Sequence, residues 1–236
     1  MKGKLFLLPT VISEGTIDKA LSPEVRAMAK QIDHYLVENI RTARRFLSAL
    51  KIDKPIEEIC FEILDKSSNV NDIFNKLQPI LEGKNMAVLS EAGCPGIADP
   101  GSLAVEMAHE LQIDVVPVVG PSSIFLALMA SGFNGQCFKF NGYIPIDKKE
   151  RVQAIRRLEK ESQQQDITQI FMETPYRNNK LFETLLKNCR SDTKICIAKD
   201  ITGKTEFIKT MNVAKWKSNV PDLHKTPAIF LLYVQS

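Results

Sequence analysis

Short, largely apolar runs of strand length alternate with amphipathic helical segments over the first 119 residues, and that alternation restricts the fold severely. The runs are residues 4–8, 34–37, 86–90 and 114–119. Between them, residues 23–30, 42–50, 71–81 and 102–111 place apolar side chains three and four apart, as on one face of a helix. Ala43, Phe46, Leu47 and Leu50 make one such face; Ile73, Phe74, Leu77, Ile80 and Leu81 make another. Ser22 before Pro23 reads as an N-cap followed by proline at the first helical position. Strands that alternate with helices predict a mainly parallel α/β sheet.

The alternation breaks at Gly120-Pro121. Ser122 or Ser123 can cap a helix that runs to about residue 130. Residues 149–163 and 178–188 also read as helices, and residues 138–143, 168–173, 195–199, 206–210 and 228–234 as strands. Strands crowd toward the end, which predicts a mixed sheet with hairpins. The expected organisation is two α/β domains, an N-terminal one over 1–119 and a C-terminal one with a mixed sheet over 120–236.

Composition narrows the class. With 44% hydrophobic and 25% charged residues in 236, the chain is globular rather than disordered, collagen-like or coiled-coil. No apolar run approaches the roughly 18 residues of a membrane span, so no membrane partner is expected. The first nine residues look like the start of a signal peptide. Their apolar stretch is short and no small-residue cleavage site follows, so a first buried strand is expected there. Five cysteines, an odd number without a C-x-x-C pair, argue against a disulfide framework and fit a reducing cytoplasm. Three scattered histidines without H-E-x-x-H spacing predict no metal site.

The net charge of +3 is unevenly divided. Residues 1–120 carry 13 basic and 17 acidic residues, and residues 121–236 carry 18 and 11. A basic second half suits an anionic partner or an ordinary solvated surface equally.

The chemistry concentrates in two turns. Ser90-Glu91-Ala92-Gly93-Cys94-Pro95-Gly96-Ile97-Ala98-Asp99-Pro100-Gly101-Ser102 follows a strand and opens a helix. Its three Gly and two Pro force tight turns, and ligands of open α/β sheets settle beyond such strand ends. It is neither G-x-G-x-x-G nor a P-loop. Val118-Val119-Gly120-Pro121-Ser122-Ser123 repeats the strand-to-helix turn with two hydroxyls at the helix start, where unpaired N–H groups can meet a ligand oxygen.

Those two runs resemble the tetrapyrrole methylase superfamily of S-adenosylmethionine-dependent methyltransferases. They are most similar to the branch that 2′-O-methylates a ribose in small-subunit ribosomal RNA, which reads S-D-A-G-x-P-x-I-S-D-P-G and then P-G-P-S. Asn141-Gly142-Tyr143-Ile144-Pro145 with Lys149-Glu150-Arg151 is similar to its G-F-L-P…G-E-R. Ile170-Phe171-Met172-Glu173-Thr174-Pro175-Tyr176-Arg177 is similar to its F-Y-E-S-P-H-R. Two early loops depart from it: Leu8-Pro9-Thr10-Val11-Ile12-Ser13-Glu14-Gly15 stands in place of T-P-I-G-N-L, and Glu38-Asn39-Ile40-Arg41 in place of E-D-T-R.

The resemblance implies S-adenosylmethionine folded in a cleft between two α/β domains, ribosomal RNA or the small subunit as partner, and a homodimer. It implies main-chain cofactor contacts from Ala92, Gly93 and Cys94, and packing from Ile97 and Ala98. Ser122 and Ser123 belong to its second cofactor loop, Met172 lines the adenine, Pro9 and Thr10 meet the methionine portion, and Pro227 lies before the last strand. Arg41 and Arg177 are the expected substrate contacts. Glu14, Glu38, Glu91 and Asp99 are the acidic residues near the expected cleft, and none is singled out as a base. Other readings stay open: a tetrapyrrole or other small-molecule acceptor, or a cofactor-binding relative without transfer activity.

Two basic groups could meet phosphate or simply face solvent. Arg41, Arg44 and Arg45 share one helix surface. Lys148, Lys149, Arg151, Arg156, Arg157 and Arg177 form the other. One tryptophan, Trp216, and four tyrosines offer no evident platform for base stacking.

Overall fold

Every strand pairing in the first half of the chain is parallel. The computed structural model describes residues 1–65 and 68–235, and the chain divides into two compact units, Met1–Ser122 and Ser123–Ser236.

The first unit runs β1 (Leu5–Leu8), α1 (Ile17–Ala20), α2 (Pro23–Gln31), β2 (His34–Val37), α3 (Ile40–Leu50), a 3-10 turn (Ile56–Glu58), β3 (Cys60–Ile63), α4 (Val70–Lys76), α5 (Gln78–Leu81), β4 (Met86–Leu89), α6 (Gly101–Glu110) and β5 (Val115–Pro117). The sheet order is β3-β2-β4-β1-β5. Alternate strand residues face two cores. Phe6, Leu8, Tyr35, Val37, Ala87 and Leu89 pack with Val25, Ala29, Ala43 and Leu47 of α2 and α3. Leu5, Leu36, Met86 and Val88 pack with Ile73, Ile80, Ala104 and Met107 on the other side. A sheet covered on both faces needs strands that are apolar throughout, and all four residues of β4 are buried.

α3 shows how local sequence sets an element. The Asn39 side-chain oxygen accepts from the amides of Arg41 (2.9 Å) and Thr42 (3.4 Å), capping the helix start. Ala43, Leu47 and Leu50 are its buried stripe, and Lys51 ends it in the left-handed region at φ +55°.

Three expectations needed correction. The helix expected over 71–81 is two helices meeting at Leu77, because Pro79 has no N–H to continue the ladder. β3 was not anticipated: it is an edge strand with three of its four residues exposed, so it carries no apolar signature. Ser22 stands at the N-cap position of α2, but its hydroxyl makes no cap hydrogen bond.

The second unit runs α7 (Ser123–Ser131), β6 (Phe138–Tyr143), α8 (Lys148–Gln165), β7 (Thr168–Met172), α9 (Asn178–Asn188), β8 (Lys194–Lys199), β9 (Phe207–Asn212), α10 (Val213–Trp216) and β10 (Ala228–Tyr233). Its sheet, β6-β7-β10-β8-β9, is mixed: only β6 and β7 are parallel. One face packs on α8 and α9, with Phe171 stacked on Phe230 and Phe182 edge-on to Trp216. The other packs on α7 through Ile124, Ala127 and Leu128. Trp216 is fully buried and donates its indole N–H to the Ile195 carbonyl at 2.9 Å, so it is a core residue.

Candidate functional site

The C-terminal ends of β1, β2 and β4 are level, since Leu8 pairs with Leu89 and Leu89 with Val37. Parallel strands send their following loops out on the same side, so residues 9–16, 38–39 and 90–100 gather beyond that edge.

Hydrogen bonds tie these loops together. The buried Thr10 donates its amide to the Gly93 carbonyl at 2.9 Å, and the Ser90 hydroxyl donates to the same carbonyl at 2.8 Å. The Thr10 hydroxyl lies 3.3 Å from the Ser90 carbonyl. Gly93 takes φ +78°, and a Cβ there would sit 3.0 Å from the Pro121 carbonyl oxygen. Glycine is thus required by the packing of the turn itself, and a side chain at Gly93 would push on Pro121 rather than into open space. The Cys94 thiol points at the same Pro121 carbonyl, 3.3 Å away. Burial, then the charge of Asp99, pushes that thiol's pKa up, which keeps it protonated and unreactive.

Asp99 closes the turn. Its Oδ1 accepts from the Gly96 amide at 2.7 Å and the Gly101 amide at 2.8 Å, while its Oδ2 is buried without a partner among the described residues. Burial raises its pKa and the two N–H donors oppose the rise. Ile97 is half exposed, and Ala98 is held in the left-handed region at φ +64°, an uncommon state for a residue with a Cβ. Ala92 is exposed, and its main-chain N–H and C=O bond to nothing among the described residues.

Beside this turn the first unit holds a cleft of about 370 Å³. Val37, Ala43, Phe46 and Leu89 supply apolar lining; Thr10, Asn39, Thr42, Ser90 and Glu91 supply polar groups. The Thr42 hydroxyl donates to the Glu91 carboxylate. At the mouth, Arg45 pairs with Glu14 at 2.9 Å, both well exposed.

Of the sequence-derived residues in the first unit, Pro9, Thr10, Ala92, Gly93, Cys94 and Ser122 stand in or beside these loops. Pro9 meets Gly120 so closely that a Cβ on Gly120 would lie 2.2 Å from the proline ring. Arg41 is exposed on α3 and does not line the cleft; Arg45 does, and Arg44 lies 5.6 Å over the Phe61 ring. Thr42 was not singled out by sequence, because its contact with Glu91 joins residues 49 positions apart.

In the second unit, Met172 ends β7 and pairs with Ile229, two residues after Pro227, so both stand at one end of the sheet. Ile124, next to Ser123, packs in the same cluster as Met172. The Arg177 guanidinium donates to the buried Glu173 carboxylate at 2.6 Å, so its charge is largely engaged within the fold. Arg151, counted above with the surface cations, is buried and donates to the Ile146 carbonyl at 3.0 Å. It belongs to the packing of α8, while Lys148, Lys149, Arg156 and Arg157 remain exposed.

Among the described residues no three His, Cys, Asp or Glu side chains converge as a metal site, and no helix is long and apolar enough to cross a membrane.

Comparison with known proteins gives a consistent result. The sequence model of the Tetrapyrrole (Corrin/Porphyrin) Methylases matches residues 19–216. The Ribosomal RNA small subunit methyltransferase I of Bacillus subtilis is 31% identical over 88% of this chain and 67% of its own. The protein of the same name from Thermotoga maritima is 30% identical over 85% and 84%, and that of Buchnera aphidicola 28% over 91% and 73%. Among solved structures, the methyltransferase CobJ superposes with a TM-score of 0.64 at 18% identity, covering 98% of this chain and 94% of that one. Uroporphyrin-III-C-methyltransferase from Thermus thermophilus gives 0.57 at 16% identity, covering 99% and 93%. At those identities the structures speak for the fold alone.

Proposed function

The chain belongs to the tetrapyrrole methylase family, and from that premise we propose that it moves the methyl group of S-adenosylmethionine to a ribose 2′-hydroxyl of small-subunit ribosomal RNA. The observation that carries the acceptor is the run of relatives named for the small-subunit ribosomal RNA, matched over most of both chains at 30–31% identity.

The loops of the first unit fit the cofactor. A sulfonium methyl, when bound, is already strongly electrophilic, so the protein has mainly to bind and align. Ala92 offers an unpartnered main-chain donor and acceptor at the end of β4. Thr10, Ser90 and Gly93 fix that main chain through mutual hydrogen bonds, and Cys94 and Asp99 hold the following turn. We assign Pro9, Thr10, Ala92, Gly93, Cys94, Ile97, Ala98 and Ser122 on the first unit to the cofactor; for Ser123, Met172 and Pro227 on the second unit the assignment rests on the family resemblance alone. Main-chain recognition does not depend on the Cys94 side chain, which is turned to the Pro121 carbonyl. Arg45 joins Arg41 as a candidate phosphate contact, because it lines the cleft. Arg177 remains a candidate contact, oriented by Glu173.

A homodimer in the cytoplasm completes the proposal. Exposed Phe125 and Met129 on α7, with Phe138 edge-on to Phe125, are the apolar surface that would favour self-association. Five free thiols suit a reducing compartment.

The test is ribosomal RNA from a strain lacking the gene. Nuclease digestion and mass spectrometry should show one ribose methylation missing and restored by the gene in trans. An unchanged modification pattern would reject the RNA acceptor.

A further inference from the structure

We propose that the Glu91 carboxylate, held by Thr42 beside the cleft of the first unit, takes the proton of the acceptor hydroxyl. The inference rests on the ribose reading above and adds the residue that makes the oxygen nucleophilic.

Four carboxylates lie near the loops. Asp99 has one oxygen taken by two amides and the other buried, away from the cleft lining. Glu38 does not line the cleft. Glu14 does, but it is well exposed and faces Arg45 rather than the loop that carries Ala92. Glu91 lines the cleft with one oxygen fixed by the Thr42 hydroxyl and the second without a partner among the described residues. It is also the residue immediately before Ala92, whose main chain is free to meet the methyl donor. A base next in sequence to the donor contact would serve an acceptor oxygen that in-line transfer requires about 3 Å from both the base and the methyl carbon.

The cleft suits a single nucleoside. Its volume of about 370 Å³ is at the lower end for ligand pockets, which run from about 300 to 1,000 Å³. Phe46, Val37 and Leu89 offer apolar surface to a base, and Asn39 offers an amide to its polar edge. In the step itself the hydroxyl oxygen forms a bond to the methyl carbon as the carbon–sulfur bond breaks. Its proton passes to Glu91 and from there to water.

Thr42 acts through Glu91 and is a positioning residue. Its hydroxyl fixes the carboxylate, so its loss should lower kcat more than it changes KM for RNA.

The experiment uses the full chain, labelled S-adenosylmethionine and small subunits from a strain lacking the gene. Affinity for S-adenosylhomocysteine is measured alongside. E91Q should lose about a hundredfold or more in turnover, the range of a general base, with cofactor affinity within twofold. E91A should recover activity with added formate, and E91D should retain part of it. T42V should lower kcat about tenfold with KM within twofold, and T42S should restore it. E91Q within threefold of wild type, or E91A deaf to formate, would overturn the assignment while leaving the ribose reading intact. A wild-type protein that transfers no methyl to ribose overturns both, and the wild-type lane alone reveals it.

Discussion

The Thr10 amide donates to the Gly93 carbonyl at 2.9 Å, so the loop after the first strand and the turn after the fourth form one unit. The Ser90 hydroxyl bonds to the same carbonyl from within the turn. Ser90→Ala should cost about 1 kcal/mol, the usual worth of a buried hydrogen bond, read from urea denaturation. It should also weaken S-adenosylhomocysteine binding in calorimetry. Full affinity in a destabilised variant would separate this contact from the cofactor.

Gly120 should be less replaceable than Gly93. A Cβ on Gly120 would overlap the Pro9 ring at 2.2 Å, whereas one on Gly93 would meet a carbonyl at 3.0 Å with its backbone at φ +78°. Gly93→Ala should cost about 1–2 kcal/mol from the left-handed backbone. Gly120→Ala should shift the denaturation midpoint further. The reverse order would show that residues 9 and 120 part easily.

Asp99 predicts a definite pH trend. Burial raises its pKa above the unfolded value, so the folded state binds the proton more tightly. The stability this contributes is present below the unfolded pKa and is lost as pH rises through the folded pKa. Asp99→Asn keeps an oxygen for the Gly96 and Gly101 amides but does not titrate. The wild type should therefore gain stability relative to Asp99→Asn as pH falls from neutral through the carboxylate range. Paired urea titrations at several pH values check this, and a gain in the other direction would contradict it.

Thiol labelling should divide the cysteines by burial. Cys60 and Cys137 are exposed and should react first. Cys196 is fully buried, and burial pushes its thiol up to about 11. It should label only on unfolding; Cys189 is part-buried and its thiol is pushed up by burial, so it should react more slowly than the exposed pair. Mass spectrometry of alkylated native protein reads the order directly.

Arg45 should matter more to RNA than to stability. Its pair with Glu14 is exposed and worth at most about 1 kcal/mol. Arg45→Ala should leave the denaturation midpoint nearly unchanged, weaken RNA binding, and reduce the salt slope by about one. Arg41→Ala, which removes a charge away from the cleft, should do less.

What the sequence disclosed and what it hid follow from range. The strand at His34–Val37 and the helix at Asn178–Asn188 are set by neighbouring residues and were legible to the residue. The edge strand Cys60–Ile63 was not, because an exposed edge needs no apolar run. The Gly- and Pro-rich turn announced itself, since backbone geometry is written in residue type. The bond between Thr42 and Glu91 crosses 49 positions and exists only once α3 lies beside the end of β4. Nothing local in the sequence marks Thr42, or ranks Glu91 above the other acidic residues.

The most direct test is methyl transfer by the purified protein. Small subunits from a strain lacking the gene are incubated with S-adenosylmethionine labelled in its methyl group, and the RNA is digested to nucleosides. The account predicts label in a single 2′-O-methylated nucleoside. Label on a base, or none in RNA, would contradict it.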